Sequence, residues 1–144
     1  MTVMVFGTFD NLHPGHRDYF RQARRFGERL LKKEKRKGAV ELIAVVARDQ
    51  NVLRVKGRPT MESEKQRVKK VREVCDQAVL GSLKNQWAVL KKYQPDLICL
   101  GYDQKVDLAR LKQEITKSCP GCQIRRMKAY YPEKYKSSYC RIKE

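Results

Sequence analysis

The chain has 144 residues, of which 41% are hydrophobic and 34% are charged, and its formal net charge is +17. This length suits one domain with one core, and no apolar run approaches the roughly 20 residues that a membrane helix needs. We therefore expect a single domain over residues 1–144, with no membrane partner and a cytoplasmic location because no signal peptide is evident. The positive charge favours anions, namely nucleotides, polyphosphates, nucleic acid or acidic lipid, and does not by itself choose among them.

The first half of the chain alternates apolar and amphipathic segments. Residues 3–6 form a short apolar run before a turn cluster, which predicts a buried strand feeding a loop. Apolar side chains at helical spacing predict a helix over residues 15–33 with a basic outer face. After the charged connector 32–38, a second strand is predicted over 40–47. Residues 54–59 carry no helix signal and are predicted to form a basic loop.

The second half continues the alternation. Thr60, Glu62 and Glu64 suit the start of a helix that runs through Val74. The next predicted elements are a strand at 78–80, a helix at 87–92, a strand at 97–100, a helix at 108–115, a strand at 124–127 and a terminal helix capped by Ser137 or Ser138. This pattern predicts an α/β fold: one Rossmann-like domain with a parallel sheet of about five strands flanked by helices.

Polar clusters follow three of the predicted strands. They lie at residues 7–11, 48–50 and 101–104, after the first, second and fourth strands. In parallel α/β sheets, ligands bind beyond the carboxyl ends of the strands, where the strand order reverses. We therefore expect the three clusters to face one crevice.

The first of these clusters leads into the only two histidines of the chain, His13 and His16. Gly7 allows a sharp turn, and Gly15 removes a side chain that would stand between the imidazoles and a ligand. A helix begins nearby, and the N-terminus of a helix favours anions. The segment predicts a cradle for a triphosphate, although a histidine pair can also hold a metal.

Five cysteines, an odd number without a secretion signal, argue against a disulfide framework. Cys75 and Cys99 lie in apolar contexts and are predicted to be core residues. Cys119 and Cys122 form a CxxC pair with Cys140 as the only later cysteine, so a structural, redox or metal role stays open.

The segment Gly7-Thr8-Phe9-Asp10 to His13-Pro14-Gly15-His16 resembles the GTFDxxHxGH signature of the cytidylyltransferase-like nucleotidyltransferases. Further segments are similar to the archaeal FAD synthetase branch of that family, namely residues 47–49, 56–59, 64–67, 80–85 and 100–104. The resemblance implies transfer of AMP from ATP to a phosphate acceptor, FMN, to give FAD and pyrophosphate.

The resemblance also implies roles for individual residues. His13, His16 and Lys56 would be catalytic. The nucleotide would be bound by Gly7, Thr8, Phe9, His13, Gly15, His16, Gly101, Asp103, Gln104, Ser137 and Ser138. The acceptor would be bound by Asp10, Arg48, Asp49 and Arg67. No residue is expected to be a dedicated metal ligand, because Mg²⁺ or another divalent cation would arrive with ATP and keep several waters. The family implies a homodimer.

Other functions are considered beside this one. A CTP-dependent cytidylyltransferase acting on glycerol 3-phosphate is the alternative enzyme, although Tyr102 stands where such enzymes usually carry an acidic residue. Tyr139 replaces a third hydroxyl side chain after Ser138, which departs from the phosphate-binding segment of the family. The positive charge suggests a nucleic-acid-binding module, yet no zinc-finger, RNP-like or helix-turn-helix pattern is present. A regulator that kept the fold and lost the reaction is the last alternative.

Overall fold

The structure is a computed structural model that describes residues 1–130. Its elements, in chain order, are β1 (Thr2–Gly7), α1 (Pro14–Lys33), β2 (Glu41–Val46), α2 (Asp49–Lys56), α3 (Glu64–Arg72), β3 (Gln77–Leu80), α4 (Ala88–Tyr93), β4 (Leu97–Leu100), α5 (Leu108–Ser118) and β5 (Gln123–Arg126).

The five strands form one parallel sheet in the order β3-β2-β1-β4-β5. The chain steps outward from β1 to β2 and β3, then returns to the other side of β1 for β4 and β5. The strand order therefore reverses between β1 and β4, where an α/β sheet forms its ligand crevice. The predicted α/β fold with about five parallel strands is confirmed.

Helices cover both faces of the sheet, so the inner strands β1, β2 and β4 are apolar on both sides. Val3 and Val5 pack with α1 and α3 on one face. Met4 and Ile98 pack with α4 and α5 on the other. Gly27 lets α1 approach β1 closely, because a Cβ atom there would lie 2.6 Å from a methyl group of Val3. Successive residues of β1 thus face opposite halves of the core.

The segment predicted as a loop over residues 54–59 is partly helical, and that prediction is wrong. Helix α2 starts at Asp49 and continues to Lys56, with Val52 buried as its anchor. It ends because Gly57 adopts a left-handed conformation (φ 75°), which is the usual helix stop. Helix α3 ends at Arg72, two residues before the predicted Val74. The predicted terminal cap at Ser137 or Ser138 lies outside the described residues.

Four of the five cysteines lie within the described residues. Cys75 and Cys99 are buried in the core, as predicted. Burial raises the pKa of both thiols to about 12. Cys119 and Cys122 lie together in the turn after α5, and no cluster of three metal-ligating side chains occurs within residues 1–130. No helix in that range is long and apolar enough to cross a membrane.

Candidate active site

The loop after β1 ends in a reciprocal hydrogen-bonded cap built from the two histidines. His13 is the N-cap of α1, and its Nδ1 accepts from the backbone N–H groups of Gly15 (3.0 Å) and His16 (3.4 Å). Nδ1 of His16 accepts in return from the backbone N–H of His13 (3.3 Å). This is a capping box in which imidazoles replace the usual hydroxyl and carboxylate groups.

The cap fixes the tautomer of both rings. Because each Nδ1 accepts a hydrogen bond, the single proton of each neutral imidazole must sit on Nε2. The rings are stacked, with centroids 3.8 Å apart. Burial is the main cause that lowers the pKa of His16 to about 3, and the nearby His13 is the second cause. Burial also lowers the pKa of His13. Both histidines are therefore neutral donors, through Nε2–H, at neutral pH.

This arrangement changes the expected way in which the helix end meets an anion. The N–H groups of Gly15 and His16 are occupied by His13, and Pro14 has none. The sequence suggested that these backbone N–H groups would bind phosphate, but they are not free to do so. Instead, each imidazole links the helix end to the crevice, because its Nδ1 accepts from the backbone and its Nε2–H is a donor. The positive end of the helix dipole polarises the rings and strengthens these donors.

Phe9 supports the loop from beneath. Its side chain is 3% exposed, its backbone is left-handed (φ 54°), and its ring meets His16 edge-on with centroids 5.7 Å apart. A Cβ atom on Gly7 would lie 2.8 Å from the Phe9 ring, so only glycine fits there. These two residues shape the loop, and any contact of Phe9 with a ligand would be through its backbone.

Lys56 reaches the same loop from the end of α2. Its Nζ donates to Oγ1 of Thr8 at 3.3 Å, and its side chain is exposed. The predicted catalytic Lys56 and the predicted nucleotide-binding Thr8 are therefore brought together. An ammonium group beside a hydroxyl at a phosphate loop can neutralise charge on a polyphosphate.

Arg67 has a different place from the one expected. It is completely buried. Its guanidinium donates to the carbonyl oxygens of Thr8 (2.8 Å), Ala47 (2.7 Å) and Glu62 (3.3 Å), and to the Asp49 carboxylate (2.6 Å). With no exposed surface and donors on all three nitrogens engaged, Arg67 holds the loops around the site together, and its expected contact with the acceptor stays a prediction.

The other residues expected at the acceptor also serve the framework. Both carboxylate oxygens of Asp10 accept backbone N–H groups of residues 61 and 62. Asp49 accepts from the backbone of Glu64 as well as from Arg67. Arg48 donates to Glu64 and to the Gly81 carbonyl. These bonds clamp the segment before α3 against the first loop, and the expected direct contacts of Asp10, Arg48 and Asp49 with the acceptor stay predictions.

The loop after β4 closes the opposite side of the crevice. Oε1 of Gln104 accepts from the Gly101 N–H (3.0 Å), and its Nε2 donates to the Phe6 carbonyl (3.2 Å). Gln104 thus bridges the ends of β4 and β1. Asp103 is exposed at this edge. Ser137 and Ser138 lie outside the described residues.

Sequence reasoning missed three contributors. Arg126 donates to the carbonyl oxygens of Gly101 (2.8 Å) and Gln104 (2.7 Å) and holds their loop. The Tyr19 hydroxyl donates to the Cys99 carbonyl at 2.6 Å. Trp87 lines a cleft of about 560 Å³ beside Gln104. Neither Arg126 nor Tyr19 carried a signal, because each matched the pattern of its own strand or helix, but Trp87 is the only tryptophan of the chain.

The described residues do not fit a dedicated metal site. No group of three His, Cys, Asp or Glu side chains is arranged around a common point within residues 1–130. In the histidine pair both Nδ1 atoms are occupied by backbone N–H groups, and the Asp10 carboxylate is occupied in the same way.

Comparison with known proteins agrees with the geometry. The family model described as cytidylyltransferase-like matches residues 4–143. The FAD synthase of Methanothermobacter thermautotrophicus is 36% identical over 143 residues, which cover 98% of this chain and 87% of that protein. The FAD synthase of Methanosarcina acetivorans is 41% identical over 117 residues, covering 80% of this chain and 68% of that protein.

A solved structure is also similar. The lipopolysaccharide core biosynthesis protein from Thermoplasma volcanium superposes with a TM-score of 0.75 and 33% identity. The match covers 90% of this chain and 98% of that one.

Proposed function

The chain belongs to the cytidylyltransferase-like family, and on that premise we propose that it transfers AMP from ATP to FMN, giving FAD and pyrophosphate. Archaeal relatives named FAD synthase, 33–41% identical over most of the chain, support the adenylyl donor and the flavin acceptor. The bond that forms joins an oxygen of the FMN phosphate to the α-phosphorus of ATP. The bond that breaks releases pyrophosphate.

This reaction needs positioning and positive electrostatic potential more than it needs a base. A phosphate monoester has a second pKa near 6, so the acceptor is already mostly a dianion at neutral pH. The demand on the protein is to hold two anions together and to stabilise the charge that develops as pyrophosphate leaves. A site with imidazole N–H donors and a lysine meets that demand without a catalytic carboxylate.

The observation that carries the proposal is the locked tautomer of His13 and His16. Two Nε2–H donors are fixed side by side at the amino end of α1, and their backbone partners prevent them from turning away. Neutral donors of this kind stabilise a phosphate oxygen without giving up a proton to it. Removing one such donor typically costs about 100- to 1000-fold in kcat.

Lys56 would add a full positive charge to the same loop through its position at Thr8. Since the described residues offer no dedicated metal ligands, a divalent cation would enter bound to the triphosphate and would supply further charge neutralisation there. Gly101 and Gln104 would form the wall beside the nucleoside. The cytoplasmic location and the homodimer predicted from the sequence stay predictions.

A direct test is a matrix of turnover assays that follow pyrophosphate. ATP and CTP are each offered with FMN and with glycerol 3-phosphate in the presence of Mg²⁺. We expect pyrophosphate and FAD from ATP with FMN, and a loss of at least about 100-fold when His13 and His16 are both replaced by alanine. Faster turnover of CTP with glycerol 3-phosphate, or unchanged turnover in the double variant, would contradict the proposal.

A further inference from the structure

A cleft of about 560 Å³ lies on the face of the sheet that carries α4 and α5, opposite α1. We call it the Trp87 cleft. Phe6 and Leu100, at the carboxyl ends of β1 and β4, form its floor. Trp87, just before α4, and Leu111, in α5, belong to its walls. Its volume falls in the range of small-molecule sites, roughly 300–1,000 Å³.

The Trp87 cleft adjoins the phosphate loop. Phe6 lies on its floor and immediately precedes Gly7, where that loop begins. Gln104 lines the cleft and also donates to the Phe6 carbonyl. One substrate could therefore place a ring in the cleft on one face of the sheet and a phosphate beside the histidines at the edge.

The lining combines two kinds of chemistry. Phe6, Trp87 and Val106 give aromatic and aliphatic surface. Lys84 and Arg110 give cationic donors. The carboxylate in the cleft, Asp107, caps the backbone N–H of Arg110 (3.1 Å). Such a lining suits a planar ring with one apolar end and one end rich in acceptors.

We propose that the Trp87 cleft is the acceptor subsite, with Trp87 as a stacking platform for the tricyclic ring of the flavin. This inference rests on the proposed function and adds the residue that selects the acceptor. The flavin ring has an apolar dimethylbenzene end and a carbonyl-bearing pyrimidine end, which match the two kinds of lining. Adenine has no apolar end, and a glycerol phosphate would leave most of the aromatic surface uncovered.

Kinetic separation of the two substrates tests the assignment. Trp87→Leu keeps apolar bulk but removes the aromatic face, and Trp87→Phe restores an aromatic ring. Stacking of a base on an aromatic side chain is commonly worth about 5- to 150-fold in affinity. We expect Trp87→Leu to raise the KM for FMN by that factor and to leave the KM for ATP within about twofold, with Trp87→Phe recovering most of the loss.

Tyr93→Leu is the matched control. Tyr93 is partly buried against the same core cluster as Trp87 and lies on α4, but it does not line the Trp87 cleft. It should lower the melting temperature about as much as Trp87→Leu does, while the KM for FMN stays unchanged. Equal increases in KM for FMN in both variants would show a structural effect and overturn the inference.

Flavin fluorescence gives a readout that does not need turnover. A stacked indole quenches flavin emission by electron transfer at contact distance, so FMN bound to the wild type should be dim. FMN bound to Trp87→Phe should be brighter, and this variant keeps an aromatic ring to fill the core. Equal emission of FMN bound to the two proteins would overturn the assignment.

The outcomes also separate the two proposals. If the wild type binds FMN with Trp87-dependent quenching but makes no FAD, the flavin subsite is supported and the proposed reaction is refuted. If the wild type makes FAD and Trp87→Leu raises the KM for ATP instead of FMN, the proposed reaction is supported. That second result would place the adenine in the cleft and overturn the flavin subsite.

Discussion

Replacing His13 by asparagine should separate its two tasks. His13 caps α1 through Nδ1 and presents Nε2–H to the crevice. Asparagine places an acceptor oxygen close to the position of Nδ1 and is among the preferred N-cap residues. It has no atom at the position of Nε2. His13→Asn should therefore keep the cap and lose the donor, whereas His13→Ala should lose both.

The expected sizes follow from these contacts. Loss of an N-cap costs about 1 kcal/mol, within roughly 0.5–2 kcal/mol. In a chain of this length that lowers the melting temperature by about 2–5 °C. Loss of one positioned donor costs about 100- to 1000-fold in kcat, which is about 3–4 kcal/mol of transition-state stabilisation.

The assay pairs thermal unfolding with pyrophosphate release at saturating ATP and FMN. His13→Asn should have a melting temperature close to that of the wild type and a kcat as low as that of His13→Ala. Only His13→Ala should have a lowered melting temperature. If His13→Asn kept kcat within about threefold of the wild type, the Nε2–H donor would have no role in the reaction. If it were as unstable as His13→Ala, the capping role of Nδ1 would be wrong.

Three further predictions follow from the site. Lys56→Ala should lower kcat about 100-fold with little change in melting temperature, because the exposed ammonium group of Lys56 acts on the ligand. Arg54→Ala on the same helix is the control, and it should change neither kcat nor the melting temperature. Arg67→Met should lower the free energy of unfolding in urea by about 3 kcal/mol or more, since it leaves buried carbonyl oxygens and Asp49 without their partner; a loss under about 0.5 kcal/mol would contradict its framework role. The unfolded chain binds a proton at His16 below pH 6.5, whereas the folded protein resists it until about pH 3, so stability should fall as the pH drops below 6.5. His16→Gln, which keeps a residue suited to that cap position, should flatten this fall between pH 6.5 and 4, and equal slopes would refute the lowered pKa.

Most of the fold follows from local patterns in the sequence. The inner strands are buried on both faces, so they appear as apolar runs, as in residues 42–46 of β2 and 97–100 of β4. Helix α1 was evident because apolar side chains such as Phe20, Ala23 and Leu31 recur at helical spacing over 20 residues. Helix α2 was missed because it spans 8 residues and buries only Val52, which is too little periodicity to mark a helix.

The site was only partly predictable, for a physical reason that Arg67 illustrates. Arg67 was expected to bind the acceptor because residues 64–67 resemble the pattern of the family. Its true partners, the carbonyl oxygens of Thr8 and Ala47, lie 59 and 20 residues away in the chain. Asp10 likewise meets backbone groups 51 and 52 residues away. Such bonds depend on tertiary folding, and no local pattern reports them.

The Trp87 cleft was invisible for the same reason. Its floor comes from the ends of β1 and β4 and its walls from the start of α4 and from α5. The histidine loop, in contrast, could be identified from its sequence because its functional groups lie within ten consecutive residues, 7–16, and its cap is made by residues three apart.

The most direct test of the account is nitrogen-15 NMR of the two histidine side chains, which are the only imidazoles in the chain. At neutral pH both rings should appear as the neutral tautomer with the proton on Nε2, and both Nε2–H signals should shift downfield when ATP with Mg²⁺ is added. A proton on Nδ1 of either ring, or Nε2–H signals that do not respond to the nucleotide, would contradict it.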